Sequence, residues 1–285
     1  MRFGIHSMVW VGDWSEASAR FAIESTAKAG YDLIELTAMD PSQLDVAMTA
    51  ELLQEHGLGA TASLGLDAST DVSSEDTDIV AAGRRRLFDA LHLVRDLGGD
   101  ILCGVIFSAL HKYHQPVTDR GLANSQRVLA DLADEAAASG IRLGLEFCNR
   151  YETNILNTTE QTLAYIEQVG RENVVAHLDT YHMHIEERNM RDPVLAAAGA
   201  GKLGYVHVGE SHRGPLGTGN VHWDEFLPAL REVDYDGVVT FESFSSEVVH
   251  PALSSTLAIW RNLWTDSQAL AADARRFLAE HLERH

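Results

Sequence analysis

The chain has 285 residues, 45% of them hydrophobic and 22% charged, and its 42 acidic against 22 basic residues give a formal charge of −20. That length accommodates one large α/β barrel or two ordinary domains, and the acidic balance repels phosphate backbones, so no nucleic-acid partner is expected. No apolar run suits a bilayer span and no charged-then-apolar leader follows Met1, so the expectation is a cytoplasmic enzyme with no membrane partner.

In chain order, short apolar runs alternate with longer amphipathic stretches. FGIHSMVW leads into SEASARFAIESTAKAG, YDLIELTA into PSQLDVAMTAELLQEHG, and GATASLGL into DIVAAGRRRLFDALHLVRDLGG. ILCGVIFS leads into RGLANSQRVLADLADEAAASG, RLGLEFCN into TTEQTLAYIEQVG, and VVAHLDTYH into DPVLAAAGAG. YVHVGES is followed by HWDEFLPALREVD, and VVTFESF by a long tail from Leu253 to His285. Gly30, Gly57, Gly140 and Gly170 stand after helical periods, where a left-handed cap is wanted. Eight strand-then-helix units with right-handed crossovers predict a closed (β/α)8 TIM barrel of α/β class, over a doubly wound open sheet as the competing architecture. The absence of G-x-G-x-x-G after the first strand weakens that competitor. No linker or low-complexity tract divides the chain, so one barrel domain over 1–285 with a C-terminal helical extension is expected. Cys103 and Cys148 lie in no C-x-x-C pair and are read as reduced thiols.

Active sites of this fold form at the C-terminal ends of the strands. Four such ends carry ligand-type side chains: Glu146 in LGLEFCN, Asp179 in VAHLDTYH, His207 in YVHVGES and Glu242 in VTFESF. Any one of them alone could cap a helix or pair with an arginine. Three carboxylates buried together near a barrel axis are costly unless a cation compensates them. Three oxygen donors and one imidazole suit Mn²⁺, Mg²⁺ or Co²⁺ better than a structural zinc. One such ion per subunit, with open coordination positions, invites a ketone and its neighbouring hydroxyl. Glu146 and Glu242, flanking such an ion, could also act as bases toward a bound substrate.

His182, three residues beyond Asp179, and Arg213, after the seventh strand, are read as groups that grip the substrate or its developing charge. Glu152 could bond a sugar hydroxyl, orient His182 or pair with Arg150. Trp10 and, more weakly, Trp14 could wall a sugar pocket, and Cys103 could line it or pack as a small core residue. Trp260 and Trp264 have helical spacing and are read as packing residues. His177, His184, His212 and His222 are read as solvent or outer-layer groups. Gly214, Gly217 and Gly219 in RGPLGTG lack the context of a phosphate loop and are read as a flexible substrate-side loop.

The segments LEFCNRYETNILNT, HLDTYHMHIEE, YVHVGESHRGPLGTG and FESF resemble the ketose 3-epimerases, the D-tagatose/D-psicose 3-epimerase group among the xylose-isomerase-like barrels. The resemblance is specific in the C-terminal half and looser in the N-terminal half, where ILCGVIFSA is similar to the family's fourth strand. It implies metal ligation by Glu146, Asp179, His207 and Glu242, acid/base roles for Glu146 and Glu242, and substrate contacts from Glu152, His182 and Arg213. It also implies Mn²⁺, Co²⁺ or Mg²⁺, inversion at C3 of a free ketohexose or ketopentose through a cis-enediolate, and a homodimer or homotetramer. His6 and Ser7 depart from an often aromatic first-strand end, which bears on the pocket. Rival functions are an aldose–ketose isomerase, a hydroxypyruvate isomerase or inosose dehydratase of the same superfamily, a barrel-type DNA-repair nuclease and an inert sugar-binding barrel.

Overall fold

The computed structural model describes residues 1–282. Eight strands, β1 Arg2–His6, β2 Leu33–Thr37, β3 Gly59–Leu66, β4 Ile101–Ala109, β5 Arg142–Glu146, β6 Val174–Asp179, β7 Leu203–Val208 and β8 Val238–Phe241, pair in parallel and in sequence order. β8 returns to β1 through Phe3 opposite Val239 and Ile5 opposite Phe241, which closes the barrel. The open-sheet alternative is thereby excluded, since no strand is left with an unpaired edge.

Helices α1 Glu16–Lys28, α2 Val46–His56, α3 Thr77–Asp96, α4 Asp119–Ala137 and α5 Thr159–Val169 cover the first half of the wall. The short α6 Thr180–Glu186 precedes α7 Arg191–Gly199, and α8 Trp223–Glu232, α9 Pro251–Thr256 and α10 Ser267–Leu282 complete the set. Their starts are set by side-chain caps: Asp76 accepts from the amides of Asp78 and Ile79, Thr118 from Gly121, and Thr158 from Gln161. Gly170 closes α5 at φ +66°, a left-handed position that a side chain would strain. α6 begins at a proposed site residue, because Asp179 Oδ1 accepts the amide of Tyr181 at 2.7 Å.

Two apolar layers hold the barrel. Outside it, Ile34, Leu36, Leu102, Leu143, Leu145, Leu178 and Val206 pack under the helices in one continuous core. Inside its base, Leu33, Ile101, Val175 and Val238, one from each even-numbered strand, meet Cys103 and Tyr205. Side chains from alternate strands fill a barrel lumen in this way. The alternation that sends Leu33 inward also sends Glu35 inward, two residues nearer the mouth.

The tail departs from a continuous helix. α9 ends at Thr256, residues 257–266 are not helical, and α10 then packs Ala271 and Leu278 on the barrel, with Tyr31 Oη donating to Ala271 O at 2.9 Å. Residues 283–285 of the expected tail lie outside the described residues. Trp260 and Trp264 therefore share no helix face: Trp264 is buried and donates to Ser243 Oγ at 2.8 Å, whereas Trp260 is 71% exposed. Spacing of four implies a common face only where a helix exists. Among the described residues, no helix is long and apolar enough to cross a membrane.

Gly104 on β4 sits at φ +108°, and a Cβ there would lie 2.3 Å from the Leu64 carbonyl oxygen of β3. Gly104→Ala is expected to destabilise the protein by at least about 2 kcal/mol through backbone strain and that clash, read as a fall in Tm of roughly 4 °C or more. An unchanged melting curve would show that the two strands can separate at no cost.

Candidate active site

The strand register brings the carboxylates together. Glu146 ends β5 opposite His177, Asp179 ends β6 opposite His207, and His207 lies opposite Thr240, two residues before Glu242. The Glu242 amide continues the ladder onto Val208 O at 3.1 Å. One ligand-type atom from each of Glu146, Asp179, His207 and Glu242 lies within 4.8 Å of the others, and all four residues are buried. His207 Nδ1 stands 3.5 Å from Glu146 Oε1 and 3.8 Å from Glu242 Oε1. It makes no hydrogen bond of its own. A buried nitrogen left in that condition, facing three carboxylates, fits a divalent cation held between them.

Electrostatics point the same way. Burial pushes the Glu242 carboxyl up to about 8, with Asp179 and Glu146 adding to the rise against the pull of Arg213 and His207. Burial also works to raise Glu146, but His177 and His207 outweigh it and hold its carboxyl below the usual range. Burial opposes charge on His207 as well, yet Glu35 and Glu242 hold the imidazole well above its usual range. The cradle draws positive charge to its centre.

Arg213 supplies part of that charge. Its Nη1 bonds Asp179 Oδ2 at 2.9 Å and pairs with Glu242, and its guanidinium lies 3.9 Å from the centre of the Tyr181 ring. Arg213 adopts φ +61°, a strained position for a side-chain-bearing residue. Its carbonyl accepts from Ser243 Oγ at 2.6 Å and from the Phe244 amide at 3.3 Å, tying the loop after β7 to the loop after β8. His182 Nδ1 accepts the Asn149 amide at 3.1 Å, and Arg213 Nη2 lies 3.2 Å from its Nε2. That nitrogen faces Glu146 and Asp179, each at 3.8 Å, and Glu152 at 4.0 Å.

These groups open onto one cleft at the barrel mouth. Glu146, Glu242, Glu152, His182 and Arg213 line it, together with His6 of β1 and Ser63 of β3. Met8, Met39, Phe244 and Leu257 form its apolar side. Asp179 and His207 do not line it and lie beneath. Glu152 is held by Asn149 Nδ2 at 2.8 Å, while Arg150 pairs with Glu186 at 2.7 Å, so the Glu152–Arg150 pairing does not form.

Three expected pocket residues lie elsewhere. Trp10 is buried in the core, edge-on to Phe21 with ring centres 6.4 Å apart, because the turn after β1 rotates it away from the cleft. Trp14 lines a neighbouring hollow and donates to Thr49 Oγ1 at 2.9 Å. Cys103 points into the barrel base, its Sγ 3.6 Å from Ala62 O, while burial pushes its thiol well up. Cys148 lines the cleft in its place. Ser7 turns aside to Thr37 Oγ1 at 3.0 Å. His177 is fully buried below Glu146, with ring centres 4.1 Å from His207, whereas His184, His212 and His222 are partly or fully exposed.

Three residues went unread in the sequence. Glu35 on β2 bonds His207 from below. Its signal, a carboxylate within the apolar run LIELT, is the pattern that marks Glu146. Phe244, in FESF itself, forms the apolar wall. Glu210, just after β7, accepts the amides of Ser211 at 2.8 Å, Gly217 at 2.9 Å and Val221 at 3.2 Å, and Trp223 Nε1 at 3.0 Å. The RGPLGTG segment is therefore an organised loop around a buried carboxylate, and not the flexible one its glycines suggested.

A closed (β/α)8 barrel that gathers three carboxylates, an imidazole and a guanidinium at its C-terminal mouth defines the class: a barrel enzyme with a hard-ligand cation cradle. The Xylose isomerase-like TIM barrel family matches residues 23–281. The L-ribulose 3-epimerase of Methylomonas sp. (strain DH-1) is 54% identical, over 98% of this chain and 97% of that protein. The ketose 3-epimerase of Arthrobacter globiformis is 51% identical, over 99% and 97%. The crystal structure of the D-allulose 3-epimerase from Methylomonas sp. in complex with D-allulose superposes with a TM-score of 0.96 at 54% identity, covering 99% of this chain and 97% of that one. The chain belongs to the ketose 3-epimerases of the xylose isomerase-like barrels, and is an isomerase.

Proposed function

We propose that the chain is a metal-dependent ketose 3-epimerase that inverts C3 of a free ketohexose or ketopentose of the D-tagatose, D-fructose/D-psicose or L-ribulose type. The observation that carries this reading is the division within the cradle: Glu146 and Glu242 line the cleft, while Asp179 and His207 lie beneath it. All four would hold the ion, and only the two glutamates can also touch a sugar. The named activities of the relatives, on L-ribulose, ketoses and D-allulose, support the substrate class. A bound divalent cation would supply Lewis-acid polarisation of the C2 carbonyl and neutralise charge arising on oxygen.

The chain's own groups do the rest. One glutamate takes the C3 proton from its face of the sugar, and the other returns a proton to the opposite face of the enediolate. Which acts first depends on the epimer bound. His182 and the Arg213 fork contact substrate oxygens, and Glu152 accepts from a hydroxyl. Phe244, Met8 and Leu257 exclude water from the reacting carbon. The family resemblance further supports Mn²⁺, with Co²⁺ or Mg²⁺ as substitutes, and a homodimer or homotetramer.

The test is a panel of ketohexoses and ketopentoses incubated under different divalent metals and analysed for C3 epimers. Epimer formation with at least one ketose is expected. Conversion of ketose to aldose alone, with no C3 epimer, would overturn the reaction assigned here in favour of an isomerase that moves the carbonyl between C1 and C2.

A further inference from the structure

Beneath the cradle lies a carboxylate that no substrate could reach. Glu35 is fully buried on β2, facing into the barrel lumen. Both of its oxygens approach His207 Nε2, at 3.0 and 2.9 Å, and Oε2 also accepts from Tyr205 Oη at 2.7 Å. Tyr205 Oη is held in turn by Thr61 and Thr240, each at 2.8 Å. His6 Nε2 completes the ring at 3.6 Å from Oε1, its Nδ1 engaged by the Met8 amide at 3.2 Å. Among the described residues, the side chains that meet Glu35 are imidazoles and a phenol, His6, His207 and Tyr205. A buried carboxylate matched in this way is expensive for stability alone, and replacing it with an apolar residue would ordinarily serve the fold as well. Its geometry has a different use.

An imidazole presents a lone pair on only one nitrogen at a time. A carboxylate accepts and cannot donate, so Glu35 requires the His207 proton on Nε2. In the neutral ring that a cation would bind, the lone pair is then left on Nδ1, the nitrogen that faces Glu146 and Glu242. The bidentate contact fixes the ring plane as well as the tautomer. We infer that Glu35 is the positioning residue that locks His207 in its metal-binding tautomer and aims Nδ1 into the carboxylate cradle. The inference rests on the reading of the cradle as a cation site, and deepens it: the site is built from β2 as well as from β5 to β8. Partners of this kind on a ligating histidine typically govern metal affinity by about 10–100-fold.

Glu35→Gln tests it. The amide keeps the shape but removes the charge and replaces one of the two acceptor oxygens with an N–H₂, so the Nε2–H tautomer is no longer enforced. Mn²⁺ affinity, titrated by the electron paramagnetic resonance of the free ion, is expected to fall about 10–100-fold, with kcat largely regained at saturating Mn²⁺. His207→Ala is titrated in parallel. If His207→Ala binds Mn²⁺ as the wild type does, the cation reading itself fails. If His207→Ala loses binding while folded Glu35→Gln keeps wild-type affinity, the tautomer lock alone fails. Should Glu35→Gln not fold, the imidazole nitrogens of the Mg²⁺-loaded wild type decide the matter by ¹⁵N NMR. A proton on His207 Nε2 with Nδ1 bare is required, and a proton on Nδ1 overturns the inference.

Discussion

Glu146→Gln and Glu242→Gln are each expected to abolish inversion at C3 while the protein stays folded. Glutamine has nearly the shape of glutamate, but its amide is no base at neutral pH, and loss of a positioned acid/base group typically costs 10²–10⁴-fold. The upper end, about 10⁴-fold, applies here because both glutamates are needed in each turnover: one to remove the proton, the other to replace it. Each is also a proposed ligand, so the variants are assayed at saturating Mn²⁺ with bound metal measured directly. Incubation in D₂O with ketose, followed by NMR at C3, separates the roles. Each folded variant is expected to wash deuterium in only from the epimer whose C3 proton faces its remaining glutamate, and inversion retained by either would sink the two-base mechanism. Loss of inversion by one variant only would leave that glutamate as the sole base and force a rotation or readdition route.

Exhaustive chelation is expected to remove epimerase activity to below about 1% of the initial rate, given that Lewis-acid stabilisation of the oxyanion is commonly worth several kcal/mol. Mn²⁺ or Co²⁺ should restore it. The protein should also melt at a lower temperature without the ion, because an ion bound at 100 times its Kd stabilises the native state by about 2.7 kcal/mol. The three carboxylates of the cradle then repel one another, with the Arg213 guanidinium their remaining strong counter-charge. Metal analysis alongside the assay identifies the ion carried by the purified protein. Activity untouched by chelation, with the metal shown to be gone, would count decisively against a catalytic cation.

The strands illustrate what is local. Each barrel strand is a run of apolar residues that stands out against amphipathic flanks, and each observed strand overlaps one of the eight expected runs, with β1, β4 and β7 reaching one or two residues beyond theirs. A residue at the end of a parallel strand projects toward the mouth whatever its neighbours do, which is why Glu146, Asp179, His207 and Glu242 could be singled out before their 4.8 Å grouping was visible. The failures were equally physical. Trp10 and Trp14 follow β1 where a short helical turn, residues 7–9, sets their direction, and no pattern of hydrophobicity encodes that rotation. Cys103 and Cys148 exchanged places because β4 carries Cys103 two residues into the strand, level with Ser63 and Gly144 in the lumen. Trp260 and Trp264 were joined by a helix that ends before either of them.

By itself the sequence determined the eight units, the acid-rich mouth and the family, because strand periodicity and strand-end chemistry act over a few residues. Only the tertiary structure decided that Glu35 of β2 supports His207 of β7, 172 positions away, that Arg213 bridges Asp179 and Glu242, and that Glu210 gathers its loop. Barrel closure and strand stagger set those contacts. They depend on where eight separate strands stop relative to one another, which no single stretch of chain records.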